Sequence, residues 1–408
     1  MNRAPRAVLI VLLATAPAGG PSAVHAQDAP ATPAQPVIPG GVGLVRVDVT
    51  VTDHDGRHVG GLRAEDFTIE EDGEPRTIAS LRYVTTPARR AAALPATAAP
   101  PALSPGEPDT SETAPDVEDA VEARSMIIVI DDLTFSDESR GRVPGMVKHV
   151  IELAGPETPL LLMRTGGGRD AMQDFTTDRR RQEAVIAHLR PSPAGPNGLH
   201  DDRMERDQRA FTTLQTLRAV QVLAEGLVGR PGRKTLLLVS EGLAVSARGD
   251  EEGVRVLDAL RRLTDTANRG GIVISTVDPS GLRTGRLTAE AHFDPDPARD
   301  AAAMMALLSA KPALAAARRR EVRRGLEQVT AETGGVAVFE NNDLKDAAER
   351  VWNDQDGYYL IGYEPDPSSV PAPGSAPVEH EISVRVKGRD LTVRSRRVYY
   401  ARAAAARP

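Results

Sequence analysis

Four short apolar runs constrain the fold of this chain more than any other feature of its sequence. Each consists mainly of aliphatic residues and is followed by polar residues or glycine; the runs cover residues 127–130, 160–164, 235–239 and 272–277. A continuous apolar run of this length is typical of a strand buried on both faces, as in a parallel sheet covered by helices. Amphipathic helical patterns separate the runs. The sequence therefore predicts a doubly wound α/β domain.

The helices of this domain are predicted from apolar residues that recur on one face of each segment. They cover residues 140–153, 178–189, 212–227, 251–268, 321–332 and 343–353. Asp178 is expected to cap the second helix, and Gly334 and Gly335 to end the fifth. Two further short strands are predicted, an edge strand at 171–175 and another strand at 336–339.

Short predicted strands flank the α/β region on both sides, and residues 44–52, 382–386 and 391–400 among them alternate between apolar and polar residues, which is the pattern of half-buried strands. The predicted strands are residues 44–52, 67–70 and 77–84 before it, and 357–363, 382–386 and 391–400 after it. The acidic turns at 53–57 and 71–74 could hold Ca²⁺, but simple turns are favoured because Asp and Gly suit turn geometry. The two flanks are predicted to pair into one β-sandwich, with the α/β domain inserted between them.

These patterns predict a definite order of segments along the 408 residues. The order is a signal peptide (1–26), a flexible N-terminus (27–43), a first β segment (44–84), a Pro/Ala-rich acidic linker (85–123), the α/β domain (124–355) and a second β segment (356–400). Residues 283–320 have little apolar pattern, and we expect them to form a surface insertion with a marginal helix.

The N-terminus predicts export. Arg3 and Arg6 precede a short apolar run, residues 7–14, and small residues precede the expected cleavage after Ala26, as in a secretory signal peptide. That run is too short to span a bilayer, and no later apolar stretch is long enough. The protein is therefore expected to be secreted or periplasmic, without a membrane span.

Composition excludes several classes of function. A net charge of −7 and an aromatic content of 3% give no support for a nucleic-acid partner. The absence of cysteine excludes disulfides, thiol nucleophiles and thiolate metal sites. The histidines form no H-E-x-x-H motif, and no G-x-S-x-G motif occurs, so the sequence carries no signature of a zinc or serine hydrolase.

The polar residues after the first apolar run are the main candidate site. Asp132, Thr134 and Ser136 have the spacing D-x-T-x-S, and alternation predicts that they share one side while Asp131 and Phe135 point away. Open α/β sheets bind ligands beyond the carboxyl ends of their strands. Oxygen-only ligands suit Mg²⁺, Ca²⁺ or Mn²⁺ rather than zinc.

Other interpretations of these residues are weaker. A dehalogenase-type phosphatase needs D-x-D-x-T, but Ile130 lies two positions before Asp132. A phosphorelay receiver needs a Lys-Pro after a late strand, which is missing here. Residues 165–169, Thr-Gly-Gly-Gly-Arg, could cradle a phosphate but lack the dinucleotide and Walker patterns, so a glycine-rich turn is favoured.

Six stretches together resemble a known family. They are residues 47–78, 127–136, 232–243, 274–282, 332–361 and 393–400, and in this order and spacing they are similar to secreted proteins related to von Willebrand factor A (VWA), of the subfamily first described from Acidobacteria. The resemblance covers most of residues 44–400. It implies a Rossmann-like VWA domain with a metal-ion-dependent adhesion site.

The resemblance also implies a ligand set. Asp132, Thr134 and Ser136 take the positions of the family's D-x-S-x-S residues, and Glu241 takes that of an aspartate. Thr212 or Thr213 stands nearest to the position of the family's loop threonine. The longer side chain of Glu241 favours Ca²⁺ over Mg²⁺, which demands near-ideal octahedral geometry.

In VWA domains a carboxylate of the partner protein completes the cation's coordination shell. The resemblance therefore implies a protein-interaction or adhesion module that binds an unknown protein through an acidic residue, and not an enzyme. Two alternatives stay open. One is a metal-assisted hydrolase or phosphatase that uses Asp131 and Asp132; the other is a structural envelope protein with a degenerate site.

Overall fold

The computed structural model describes residues 44–86, 120–121, 125–189, 202–245, 250–282, 301–369, 371–372, 374–388 and 390–402. The predicted signal peptide and flexible N-terminus lie outside these ranges. Most of the predicted linker 85–123 and residues 283–300 of the predicted insertion also lie outside them.

The described residues form a mixed α/β structure of three sheets. The strands are β1 (Val45–Thr52), β2 (Phe67–Glu71), β3 (Glu74–Arg76), β4 (Ile78–Thr85), β5 (Ala120–Val121), β6 (Met126–Ile130), β7 (Leu160–Arg164), β8 (Met172–Thr176), β9 (Lys234–Val239), β10 (Ile272–Val277), β11 (Ala337–Val338), β12 (Gly357–Tyr363), β13 (Val378–Val386), β14 (Thr392–Ser395) and β15 (Val398–Ala401). The α-helices are α1 (Asp137–Ala154), α2 (Arg179–Ile186), α3 (Asp202–Leu227), α4 (Glu251–Arg269), α5 (Ala301–Thr333) and α6 (Leu344–Asn353).

The largest sheet has six strands in the order β11-β10-β9-β6-β7-β8. All its neighbouring strands are parallel except β8, which pairs antiparallel with β7 at one edge. The chain builds outward from β6 through β7 and β8, then crosses to β9 and builds outward on the other side. The strand order therefore reverses between β6 and β9, and ligands of open α/β sheets bind at such a point.

Helices cover both faces of this sheet because successive residues of a strand point to opposite sides. Ile128 and Ile130 of β6 join a hydrophobic cluster with α1, α2 and α6. Ile127 and Val129 join a second cluster with α3, α4 and α5. Every residue of β6, β7, β9 and β10 is buried. The prediction of an α/β fold with fully buried parallel strands is thus confirmed.

The other two sheets combine strands from both ends of the chain. One has the order β14-β1-β12-β4-β5 and the other β15-β13-β2-β3. Val47 of β1 lies opposite Ile361 of β12, and Ile69 of β2 opposite Val384 of β13. A single cluster of buried residues, including Val47, Ile69 and Ile361, draws on both sheets. The segments before and after the six-stranded sheet therefore share one hydrophobic core.

Two helices begin earlier than their apolar patterns predict. α3 begins at Asp202 rather than at 212, and α5 begins at Ala301 rather than at 321. The added turns are rich in Arg and Ala, which favour helix by intrinsic propensity without an apolar stripe. Residues 301–320 of the predicted insertion are therefore helical.

The last β segment is also different from its prediction. Residues 391–400 form two strands in different sheets, β14 and β15, rather than a single strand. The chain changes sheets at Arg396 and Arg397, where Arg396 donates hydrogen bonds to the carbonyl oxygens of Arg46 and Asn268. A second difference is the short strand β5, which lies within the predicted linker and pairs parallel to β4.

Candidate metal and ligand site

The candidate site lies where β6 and β9 end side by side. Ile130 and Val239 are paired in register at the ends of these two strands. Asp131 and Asp132 follow β6, and the Asp131 N–H donates to the Val239 carbonyl at 2.8 Å. Ser240 and Glu241 follow β9. The polar residues after both strands therefore meet at the point where the strand order reverses.

Asp131 is the centre of this site. Its side chain is fully buried, with 0% exposed, and accepts hydrogen bonds from four hydroxyls. Those of Ser240, Thr216 and Thr165 lie 2.7 Å away and that of Thr134 lies 3.2 Å away. Burial raises the pKa of the Asp131 carboxyl, while the four hydrogen bonds favour the ionised form and act in the opposite direction. We call these five residues the hydroxyl cluster.

The hydroxyl cluster ties four parts of the domain together. Thr134 comes from the loop before α1, Thr165 follows β7, Thr216 lies on α3 and Ser240 follows β9. A hydroxyl has one proton and two lone pairs. A hydroxyl that donates to Asp131 therefore presents only acceptor capacity to other neighbours, such as the N–H of Glu241, 3.2 Å from Thr134 Oγ1.

The alternation pattern predicts that Asp131 points away from Thr134, and this is wrong. Residues 131–134 form a turn in which the Thr134 N–H donates to the Asp131 carbonyl at 3.1 Å. The strand has ended before this turn, so its alternation no longer applies. Asp131 and Thr134 consequently come into direct contact.

Asp132 has different neighbours. It is 1% exposed, and its Oδ1 accepts a hydrogen bond of 2.7 Å from the Gly166 N–H. Its Oδ2 lies 3.6 Å from Arg164 Nη1 in a buried ion pair. A Cβ at position 166 would lie 2.8 Å from Asp132 Oδ1, so a side chain there would displace the Asp132 carboxylate. The Gly166 N–H, which belongs to the glycine-rich segment considered for phosphate binding, is thus already bonded to the Asp132 carboxylate.

Ser136 and Glu241 are brought together, as the resemblance implies. Glu241 Oε1 accepts from the Ser136 N–H at 2.7 Å and from the Ser136 hydroxyl at 2.5 Å. Ser136 is the N-cap of α1, and its Oγ accepts from the Ser139 N–H. The positive end of the helix dipole favours a carboxylate at this position. The extra methylene of Glu241 allows it to reach the helix terminus.

The threonine of α3 that reaches the hydroxyl cluster is not one of the two candidates from the sequence. The Thr212 hydroxyl donates to the Gln208 carbonyl, and the Thr213 hydroxyl accepts from the Ala244 N–H. Thr216, about one turn further along, donates to Asp131. Thr165 was also missed. One sequence feature could have indicated Thr216, since it is a polar residue next to Leu217 on the apolar face of a predicted helix.

The oxygen donors at this position fit a hard divalent cation. Thr134 and Ser136 offer hydroxyls, Glu241 offers a carboxylate, and Asp131 adds negative charge directly behind them. This donor set suits Mg²⁺, Ca²⁺ or Mn²⁺. Two other groups of side chains among the described residues could also hold a metal ion. They are Asp53, His54 and Asp55, and Glu71, Asp72 and His380.

Comparison of the chain with models of known protein families and with curated protein sequences finds no match. Within the described residues, no helix is both long and apolar enough to cross a membrane.

Proposed function

We propose that this protein is a VWA-like interaction module that binds a carboxylate of a partner protein through a divalent cation. The six-stranded sheet would be the VWA domain, and the two smaller sheets a β-sandwich that carries it. The N-terminal sequence supports a secreted or periplasmic location. The observation that carries the proposal is the contact of Glu241 with Ser136 and with Thr134, which belongs to the hydroxyl cluster.

Each residue has a distinct role in this proposal. Thr134 and Ser136 would coordinate the cation through their hydroxyl oxygens, and Glu241 through its carboxylate. Asp131 would accept a hydrogen bond from the Thr134 hydroxyl, so that the Thr134 oxygen can face the cation. The Asp131 carboxylate would also attract the cation electrostatically. When bound, the cation would offer an open coordination position to a carboxylate of the partner.

Asp132 has a supporting role in this arrangement. Its bonds to Gly166 and Arg164 hold the loop after β7, from which Thr165 donates to Asp131. This role differs from the place in the ligand set that the resemblance implies for Asp132. Asp131 and Asp132 are both almost fully buried and engaged in these bonds, which does not favour either as the nucleophile of a hydrolase.

One observation favours a second candidate, a structural protein with a degenerate site. Glu241 and Ser136 already satisfy each other through two hydrogen bonds. A cation must compete with these bonds. If these hydrogen bonds are stronger than the binding of a cation, Glu241 and Ser136 stay paired with each other. Their contact then only stabilises the N-terminus of α1.

Calorimetric titration of the full chain with Mg²⁺, Ca²⁺ and Mn²⁺ tests the choice. We expect binding in the millimolar range or tighter, weakened about tenfold or more by Ser136→Ala or Thr134→Ala. Thr212→Ala is the matched control, because its hydroxyl bonds to its own helix, and it should bind as the wild type does.

If none of the three ions gives a binding isotherm with the wild type, the adhesion-type proposal fails and the degenerate site is favoured. The Glu241→Asp variant sharpens the test. A shorter carboxylate loses its reach to Ser136, so the ionic preference should shift toward Mg²⁺. Capture of partners from an envelope extract, with and without chelator, then shows whether the cation is needed for protein binding.

A further inference from the structure

A second cluster of possible metal ligands lies in the two smaller sheets. Glu71 ends β2, Asp72 begins the turn that follows, and His380 lies on β13 beside β2. Asp72 and His380 are 308 residues apart in the chain. The ligand atoms of the three side chains all lie within 4.8 Å of one another. Glu71 is 0% and His380 7% exposed.

The surroundings of His380 fix which of its ring nitrogens carries hydrogen. Nε2 lies 3.1 Å from the Ser369 carbonyl oxygen, which can only accept, so Nε2 carries a hydrogen. Nδ1 faces Asp72 Oδ2 at 2.7 Å and Glu71 Oε1 at 4.0 Å. A neutral imidazole would therefore point a lone pair at two carboxylates. A cation has to lie between them, either a proton on Nδ1 or a metal ion.

The charges around the cluster favour a doubly charged ion. Glu71, Asp72 and Asp366 are carboxylates, and Arg76 is the guanidinium between Glu71 and Asp366, at 3.6 and 3.2 Å. With a neutral histidine, two negative charges stay unbalanced, and a divalent cation balances both. In addition, Glu71 is fully buried, and Arg76 Nε lies 3.6 Å from its Oε2, which is beyond hydrogen-bond distance; burying a carboxylate without a close charged partner is costly.

We propose that Glu71, Asp72 and His380 form a binding site for a divalent transition-metal ion of the zinc type. One imidazole nitrogen and two carboxylate oxygens are common ligands of Zn²⁺. This donor set is softer than the oxygen-only set near Asp131. The two sites therefore differ in the metals that they prefer.

Each of the three ligands is held in place by a group outside the set. The Ser369 carbonyl orients His380, the Tyr399 hydroxyl donates to Glu71 Oε1 at 2.7 Å, and the Glu381 N–H donates to Asp72 Oδ1 at 2.8 Å. Supporting bonds of this kind are typical of metal ligands. On tetrahedral zinc, ligand atoms lie about 3.3 Å apart, so His380 and Asp72 must separate slightly while Glu71 approaches.

Such an ion would cross-link two segments that are distant in the sequence. It would join the turn after β2 to β13, which belong to the segments before and after the six-stranded sheet. Because the unfolded chain does not hold these ligands together, metal binding stabilises the folded state. The melting temperature should therefore rise with zinc concentration.

The test uses the full chain after treatment with a chelator. Equilibrium dialysis against Zn²⁺, with elemental analysis, should give one bound ion per chain, and the melting temperature should rise. His380→Ala should weaken binding at least 100-fold and abolish that rise. His54→Ala is the matched control in the exposed Asp53–His54–Asp55 group, and it should bind zinc as the wild type does.

A second variant and a second method distinguish a loss of zinc binding from a loss of folding. Asp72→Asn keeps the shape of the side chain but removes one charge, so it should fold and bind zinc at least tenfold more weakly. Nitrogen NMR of His380 reports what Nδ1 carries. Hydrogen on both ring nitrogens in the presence of zinc, or unchanged zinc binding in both variants, would overturn the proposal. Ser136→Ala should leave zinc binding intact, so the two proposals can fail separately.

Discussion

Asp131 and Glu71 are both fully buried carboxylates, but their surroundings differ. Asp131 meets four neutral hydroxyls, from Thr134, Thr165, Thr216 and Ser240. Glu71 meets one hydroxyl, from Tyr399, together with a guanidinium and an imidazole. Neutral donors solvate a charge without cancelling it, whereas charged neighbours cancel it directly. Both arrangements keep negative charge for a cation, because the hydroxyls leave the charge of Asp131 uncancelled and Arg76 offsets only one of the three carboxylates around Glu71.

The two regions also differ in how they are assembled. Asp131, Thr134 and Ser136 come from six consecutive residues at the end of one strand. The Glu71 cluster joins side chains from opposite ends of the described chain. Four predictions test this contrast.

The largest effect is expected from Asp131→Ala. The substitution leaves four hydroxyls without their acceptor in a buried site, and we expect a loss of about 3 kcal/mol or more in the free energy of unfolding. Urea unfolding followed by circular dichroism, with chelator present, measures it. Asp131→Asn retains one acceptor oxygen and should lose less. A loss below about 1 kcal/mol for Asp131→Ala would show that the hydroxyls find other acceptors.

The next effect concerns Glu71 and its tyrosine. Tyr399→Phe removes the hydroxyl that donates to the buried Glu71 Oε1, and we expect a loss of about 1–3 kcal/mol. Tyr400→Phe is the matched control, because its bond to Glu379 is exposed, and it should cost less than about 0.5 kcal/mol. If the two variants lose equal free energy of unfolding, the hydrogen bond to the buried Glu71 is worth no more than an exposed one, and the prediction is wrong.

A third prediction uses the raised pKa of Asp131. A raised pKa in the folded state means that the folded protein binds the proton more tightly than the unfolded chain. The corresponding stability is fully present below the unfolded pKa of about 3.8 and is lost as pH rises through the folded pKa. Wild type should therefore gain stability relative to Asp131→Asn as pH falls from 7 toward 4. A difference in the free energy of unfolding between the two proteins that is the same at every pH would refute this.

The smallest effect, of opposite sign, is expected at Asp72. Burial alone would raise the pKa of its carboxyl, but hydrogen bonds from His380 and from the Glu381 N–H, with the nearby charge of Arg76, lower it overall. The contribution is present above pH 3.8 and is lost as pH falls through the folded pKa. Wild type should lose its advantage over Asp72→Asn in acid. Because the side chain is half exposed, we expect less than about 1 kcal/mol.

The sequence predicts the four central strands of the six-stranded sheet well, because β6, β7, β9 and β10 are buried on both faces. β7 and β10 have the bounds that their apolar runs predict, and so does β12 of the five-stranded sheet. Asp178 is the N-cap of α2 as expected. The start of α3 was missed, because a helix that extends beyond its apolar face leaves no periodic signal there. The split between β14 and β15 was missed because alternation continues across a change of sheet.

The candidate site was only partly predictable for similar reasons. The spacing of Thr134 and Ser136 marks them locally, and the resemblance adds Glu241. The exchange of roles between Asp131 and Asp132 depends on a turn that begins one residue after β6. Thr165 and Thr216 carry no local motif, because they reach Asp131 only through the way in which β7 and α3 pack against β6. His380 also has no local motif, since its nearest partner, Asp72, lies 308 residues earlier.

The pairing of β1 and β2 with β12 and β13 has a consequence for the time at which the protein can fold. At about 5–20 residues per second, synthesis takes about 15–60 s to cover the 308 residues between Asp72 and His380. During this interval β1 has neither of its partners, β12 and β14, and β2 has β3 but not β13, while the parallel sheet between them can already form. We therefore expect the newly made chain to pass through a stage with exposed strand edges, in which chaperones matter most.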